Sequence, residues 1–180
     1  EAAEATTERG TPTAAGARHS GPPDSRSGDL GQEDLPAPSE LGRRWEYRVD
    51  NGSAEDGYLG SGEPAIARDP ASVLAAIRPL GCRPGELPMP EAALEVTYAR
   101  GKLPGVGMLL QFAEDDSARR FFTEHAGVLE QCTAAGRADV SIEQHTDDLL
   151  VSTRDEQIGG TPAWTEGVGL RADQVMLIAV

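Results

Sequence analysis

Any chemistry in this chain of 180 residues would fall to three histidines, two cysteines and a scatter of adjacent carboxylates. Nucleophilic catalysis needs a Ser, Thr or Cys beside a base that is itself held in place. His19 stands in a polar leading stretch with nothing nearby to orient it. His125 falls on or beside the apolar stripe of a helical segment, which reads as a packed core histidine. His145 lies in a polar turn with Asp147 and Asp148. No Gly-x-Ser-x-Gly is present, so no nucleophile elbow is indicated. A metal centre would use a Cys-x-x-Cys pair or clustered His, and the separation of His125 from His145 is not diagnostic of one. The carboxylate pairs Glu55/Asp56, Glu114/Asp115/Asp116 and Asp147/Asp148 are what coincidence produces in a chain with 30 acidic residues. A glycosidase would also want aromatic platforms for sugar rings, and aromatics make up only 4% of the chain. No enzymatic activity is therefore expected; a secreted hydrolase is the enzymatic alternative.

The loop 51–64, NGSAEDGYLGSGEP, offers two further motifs, and neither holds. Gly57, Gly60 and Gly62 run in the wrong order for a dinucleotide fingerprint and do not open onto a helix. Asp50, Glu55 and Asp56 do not match the oxygen ladder of an EF-hand. A solvated turn is expected there, with no cofactor and no metal. Trp45 and Trp164 each lie in an alternating strand, where core packing is the default. A tryptophan facing outward would mark a ligand groove or a partner surface. Trp45, Trp164, Tyr58 and His125 are the candidate residues for such a surface.

Charge narrows the partners. A net charge of −14 and a pI near 4.5 argue against nucleic acid, which needs clustered Lys and Arg, and disfavour anionic lipid. Lys102 is the only lysine, and with the wealth of Ala and Gly this points to a GC-rich bacterial genome. No apolar run reaches the length of a membrane span. The chain opens at Glu1 as though a segment had been removed, so contact with a membrane is expected only through a lipid anchor upstream of Glu1.

The elements follow from periodicity. Residues 1–40 carry little that is apolar beyond Ala and read as a disordered linker or tail ahead of one domain, 41–180. Trp45, Tyr47 and Val49 alternate as a strand. Asp69-Pro70 starts a short helix that presents Val73, Leu74 and Ile77 and ends at Pro79. Leu94, Val96 and Tyr98, then Val106, Met108, Leu110 and Phe112, form a hairpin whose turn carries Gly101, Pro104 and Gly105. Over 115–132, Ala118, Phe121, Phe122, His125, Val128, Leu129 and Cys132 share one face of an amphipathic helix capped by Asp115 or Asp116. Strands at 140–142, 149–153, 164–170 and 175–180 complete the chain, the last reading as buried on both faces. The fold class is α+β, a curved antiparallel sheet of six or seven strands flanked by two helices. Cys82 lies in a Gly-Pro-rich loop and Cys132 ends the long helix. They either bridge, stapling the short helix and its loop to the sheet in an oxidising compartment, or are two unrelated buried thiols.

The run QFAEDDSARRFFTEHAGVLEQC, a strand into an acidic cap and a helix ending in Cys132, resembles a set of actinobacterial extracytoplasmic domains. These are the sensor-like domains of envelope lipoproteins, found also as the extracellular part of some mycobacterial Ser/Thr kinases. Phe112, Ala118, Phe122, Leu129 and Cys132 stand at positions of that pattern, and the likeness covers about 69–180. A second disulfide of the kinase domains has no counterpart after Cys132, and Leu129 replaces their Trp, so no binding residue carries over. The resemblance implies a helix-end disulfide to an earlier cysteine, here Cys82, and a cleft for a small ligand. The expectation is a monomeric, secreted or lipid-anchored envelope domain that binds a ligand or an envelope protein. An interaction module without a pocket is the alternative.

Overall fold

The computed structural model describes residues 24–49, 52–53, 58–59, 62–77, 86–135, 140–154 and 164–180. Its elements in chain order are β1 (Glu46–Tyr47), β2 (Gly52–Ser53), β3 (Tyr58–Leu59), β4 (Ala65–Ala67), α1 (Pro70–Ala76), β5 (Ala92–Arg100), β6 (Leu103–Gln111), α2 (Asp115–Ala134), β7 (Val140–His145), β8 (Leu149–Arg154), β9 (Trp164–Arg171) and β10 (Gln174–Ala179). Eight strands form one open antiparallel sheet in the order β1-β5-β6-β10-β9-β8-β7, with β4 also paired to β5; β2 and β3 make a separate small hairpin. The class is thus α+β, with one strand more than the pattern predicts, because three-residue β4 is too short to show a period.

The topology follows from one long crossover. The β5–β6 hairpin is built first, α2 then carries the chain to the far border, and β7 to β10 return by adjacent pairing until β10 meets β6. The side chains of α2 at helical spacing, Ala118, Phe121, Phe122, His125, Ala126, Leu129 and Cys132, are all buried against one face of the sheet. Leu110, Leu150, Val168, Val175 and Leu177 meet them there, joined by Val73, Leu74 and Ile77 of α1 and its end. Both helices therefore cover the same face. Asp69 caps α1 by accepting from the Ser72 N–H, with Pro70 at the first helical position, as the Asp-Pro pair predicts. The start of α2 differs from expectation. Glu114 stands at the N-cap without a side-chain bond, and Asp115 and Asp116 lie in the first turn, where their charges face the helix dipole.

The opposite face corrects the expected linker. Residues 24–40, placed by composition in a disordered tail ending at 40, lie across the sheet. Leu30 and Leu35 are buried with Trp45, Leu94, Val96, Tyr98 and Leu109. Tyr98 donates its hydroxyl to the Pro36 carbonyl at 2.6 Å, and the Ala67 N–H donates to the Asp24 carbonyl at 2.6 Å. The two leucines stand too far apart among Gly, Pro and Asp to give a period, yet each fills a site on a surface that β5 and β6 already present. Residues 1–23 lie outside the described residues.

Three further expectations change. Pro104 and Gly105 belong to β6, and the hairpin turns at Gly101 and Lys102, where Gly101 has a φ of 63°. His145 ends β7, just past a bulge between Ile142 and Gln144, with the turn beginning at Thr146. The last strand is buried on one face only: Val175 and Leu177 are covered, while Met176 and Ile178 are half-buried. Cys132 is buried, and no free cysteine occurs among the described residues. Cys82, its expected partner, lies outside them. No helix among the described residues is long and apolar enough to cross a membrane.

Candidate functional site

Two places gather the residues with chemical capacity. The first is sealed beneath α2. On the covered face Ser152 of β8 stands opposite Glu166 of β9, and Arg154 opposite Trp164. Arg154 donates from Nη2 to both carboxylate oxygens of Glu166, at 2.7 and 2.9 Å. From the helix above, His125 Nε2 approaches Glu166 Oε1 to 3.5 Å while its ring stacks on Phe121 at 5.9 Å. Burial pushes the Glu166 carboxyl up, but His125 and the Arg154 guanidinium outweigh it and hold the group below its ordinary value. Of the two, Arg154 is the firmer partner. The His125 contact is long for a hydrogen bond, and Nε2 has no hydrogen-bond partner by geometry. The Ser152 hydroxyl and Arg154 Nε are likewise buried without a partner.

A Ser, a His and a Glu so close together invite comparison with a hydrolytic triad, and the geometry does not make one. His125 is 2% exposed and Ser152 1%, and no hydrogen bond joins them. A substrate has no route to either. His125 was a candidate for a ligand surface; it is instead an interior residue, because its helix face lies flat on the sheet. His145, near the free end of the same helix, pairs Nδ1 with Glu130 Oε1 at 2.9 Å on the surface. Such an exposed pair contributes little to stability. Among the described residues no group of three His, Cys, Asp or Glu is placed to hold a metal ion.

The second place is open. Trp45 and Trp164, far apart in sequence, line one half-open cavity of about 270 Å³ with Leu41, Arg100, Leu103, Pro104, Thr165 and Val180. Trp45 gets there through local backbone strain. Arg44, directly before it, has a φ of 69°, a left-handed conformation that long side chains seldom adopt. The indole then lies on β6 where that strand has no side chain, since a Cβ at Gly105 would come within 2.9 Å of the Trp45 ring. Arg100, exposed at the end of β5, sits over the same indole at 5.0 Å. Trp164, the first residue of β9 and by register on the α2-covered side with Glu166, borders the cavity where the sheet ends. Tyr58 is placed in β3 by its backbone, and its side chain is outside the described residues.

A second cavity of about 280 Å³ lies between α1 and the sheet, lined by Ala67, Arg68, Asp69, Ser72, Val73, Ala76, Glu95 and Met108. Its charges are already committed: Arg68 bonds Glu95 at 3.0 Å, and Asp69 serves as the α1 cap. Sequence reasoning picked out both tryptophans and missed Arg100, Leu41 and Leu103, whose only signal is closeness to a strand end. It also missed the Arg154–Glu166 pair, which no motif announces. No family model matches this chain, and no curated protein or solved structure matches it either.

Proposed function

We propose that this chain is an extracytoplasmic domain of the cell envelope, secreted or lipid-anchored, that binds a small ligand and catalyses no reaction. The observation that carries the reading is the cavity walled by Trp45 and Trp164, a concave and largely apolar space with one charged group at its edge. The sealing of His125 and Ser152 supports a binding role over a hydrolytic one. A Cys82–Cys132 disulfide belongs to the proposal. Cys132 is buried and not free, the chain has two cysteines, and closing the loop between them would stabilise the fold by roughly 4 kcal/mol in the loop-entropy model. The likeness of 112–132 to envelope sensor-like domains points the same way.

A thermal-shift screen of small organic compounds tests the binding role. Hits should raise the melting temperature of the native chain and fail with Trp45→Ala and Trp164→Ala. A blank screen across neutral, anionic and cationic compounds would overturn it in favour of an interaction module without a pocket. Thiol titration of the denatured, unreduced protein tests the compartment: no reactive thiol is expected, and two would refute the bridge.

A further inference from the structure

We infer that the cavity beside Trp45 takes a small organic anion, its acidic head on Arg100 and its apolar body against the Trp45 indole, Leu41, Leu103 and Pro104. This rests on the ligand-binding role proposed above and adds the class of ligand.

Charge is the first argument. The chain as a whole is strongly acidic, yet no carboxylate side chain lines this cavity, and Arg100 carries the one charged side chain in its lining. Arg43 and Arg44 precede Trp45, and Lys102 precedes Leu103. Among the described residues none of these four cations forms a salt bridge. Elsewhere Arg26, Arg68 and Arg154 are each paired with a glutamate. Arg48, Arg119, Arg120 and Arg171 are likewise without a salt bridge among the described residues, so what marks Arg100 is its place over an indole in the cavity lining, not the lack of a partner. Charges more than about 8 Å away are largely screened at physiological salt, so Arg100, in the lining itself, weighs more on what enters than carboxylates further off.

Chemistry of the walls is the second. An aromatic pair is also the usual receptor for a quaternary ammonium, but here one indole already carries the Arg100 guanidinium at 5.0 Å. A second cation would be repelled, whereas a carboxylate or phosphate monoester meets a planar fork of donors that remains exposed. The indole beneath holds that fork in place, which lowers the entropy lost when it binds. Thr165, exposed at the rim, adds a hydroxyl. Leu41, Leu103, Pro104 and Val180 supply only apolar surface. Size is the third. A half-open space of about 270 Å³ has room for a short alkyl or single-ring acid.

The chain contains only two tryptophans and both are among the residues lining this cavity, so indole emission is a direct readout of its occupancy. Octanoate, octan-1-ol, octylammonium and inorganic phosphate are titrated against that emission, each below micelle-forming concentrations. Octanoate should give a saturable change and bind at least 10-fold more tightly than octan-1-ol, with octylammonium and phosphate weaker still. Arg100→Gln should weaken octanoate about 10-fold or more and leave octan-1-ol within twofold, and Arg100→Lys should recover part of the loss. An unchanged melting temperature shows that these surface variants are folded. Vesicles of anionic phospholipid should not sediment the protein; if they do, the ligand is a membrane surface and the proposal falls. Equal affinity for the alcohol, or indifference to Arg100→Gln, overturns the anion assignment and leaves the ligand-binding role standing. Silence from all four probes overturns the assignment too, while the wider role falls only if the compound screen is blank as well.

Discussion

The two faces of one sheet are covered in opposite ways. On one side a 20-residue helix, α2, lies along the strands and seals what is beneath it. On the other, residues 24–45 cross as a largely irregular strap whose only helical turn is the three-residue 3-10 segment Gln32–Asp34. Under the helix, charged groups have no water and are driven to pair, giving the Arg154–Glu166 contact with His125 above it. Under the strap, cover stops short. Leu41 and Trp45 reach the end of the hairpin and leave the cavity there. Further along the same face a Cβ at Gly167 or Gly169 would meet nothing within 4 Å. Dense regular cover buries chemistry; sparse cover exposes it.

The largest test of this contrast is removal of the strap. Deleting residues through 38 should lower the melting temperature by at least ~10 °C, since Leu30 and Leu35 each contribute about 2–5 kcal/mol when buried, and 1 kcal/mol moves a chain of this size by about 2–4 °C. An unchanged melting curve would show that the strap is not part of the fold. Next is the sealed pair. Arg154→Ala leaves the Glu166 carboxylate buried with only the distant His125, and a loss of about 3–5 kcal/mol is expected in urea unfolding.

Acid provides a third test. Glu166 is held below its ordinary value of 4.5 in the folded chain. The stability it contributes is therefore full above the unfolded value and lost as pH falls through the folded one. Unfolding free energy measured between pH 7 and pH 3 should fall less steeply in Glu166→Gln than in the native chain. Some slope will remain, because Asp69, bonded by the Ser72 side chain and N–H, and Glu33, bonded by a backbone N–H and Arg26, are also lowered. Equal slopes would place the acid sensitivity elsewhere. Tyr98→Phe, which removes the hydroxyl donated to Pro36, should cost about 1 kcal/mol. Smallest is Ser152→Ala. The hydroxyl is buried without a partner, so its loss should be neutral or slightly stabilising; a drop beyond ~1 kcal/mol would reveal a hidden partner.

Period-based reasoning reads the sealed side well and the strapped side badly, for a physical reason. The stripe Ala118, Phe121, Phe122, Leu129 and the alternation Leu94, Val96, Tyr98 repeat because each is one element meeting one flat surface. Their faces appear in the chain before any contact is known. Leu30 and Leu35 repeat nothing, and their burial is decided by the surface that Leu94, Val96, Tyr98 and Leu109 present, which exists only once the sheet has formed. The cavity sits on that side, so its composition was only half legible. Trp45 and Trp164 stand out by type, whereas their bordering one cavity depends on β9 pairing beside β10 and β10 beside β6.

The bulge between Ile142 and Gln144 has a consequence at the level of many molecules. Strand β7 is the outermost of its side, and an unbroken border strand is a template on which a second chain can continue the ladder. The extra residue breaks that template midway, and exposed Glu143 beside it adds a charge that an incoming strand would have to bury. At the other border β1 and β4 offer two and three residues, too few to start a ladder. Among the described residues the sheet is open in topology and blunt at both margins, a form that disfavours edge-to-edge pairing of chains.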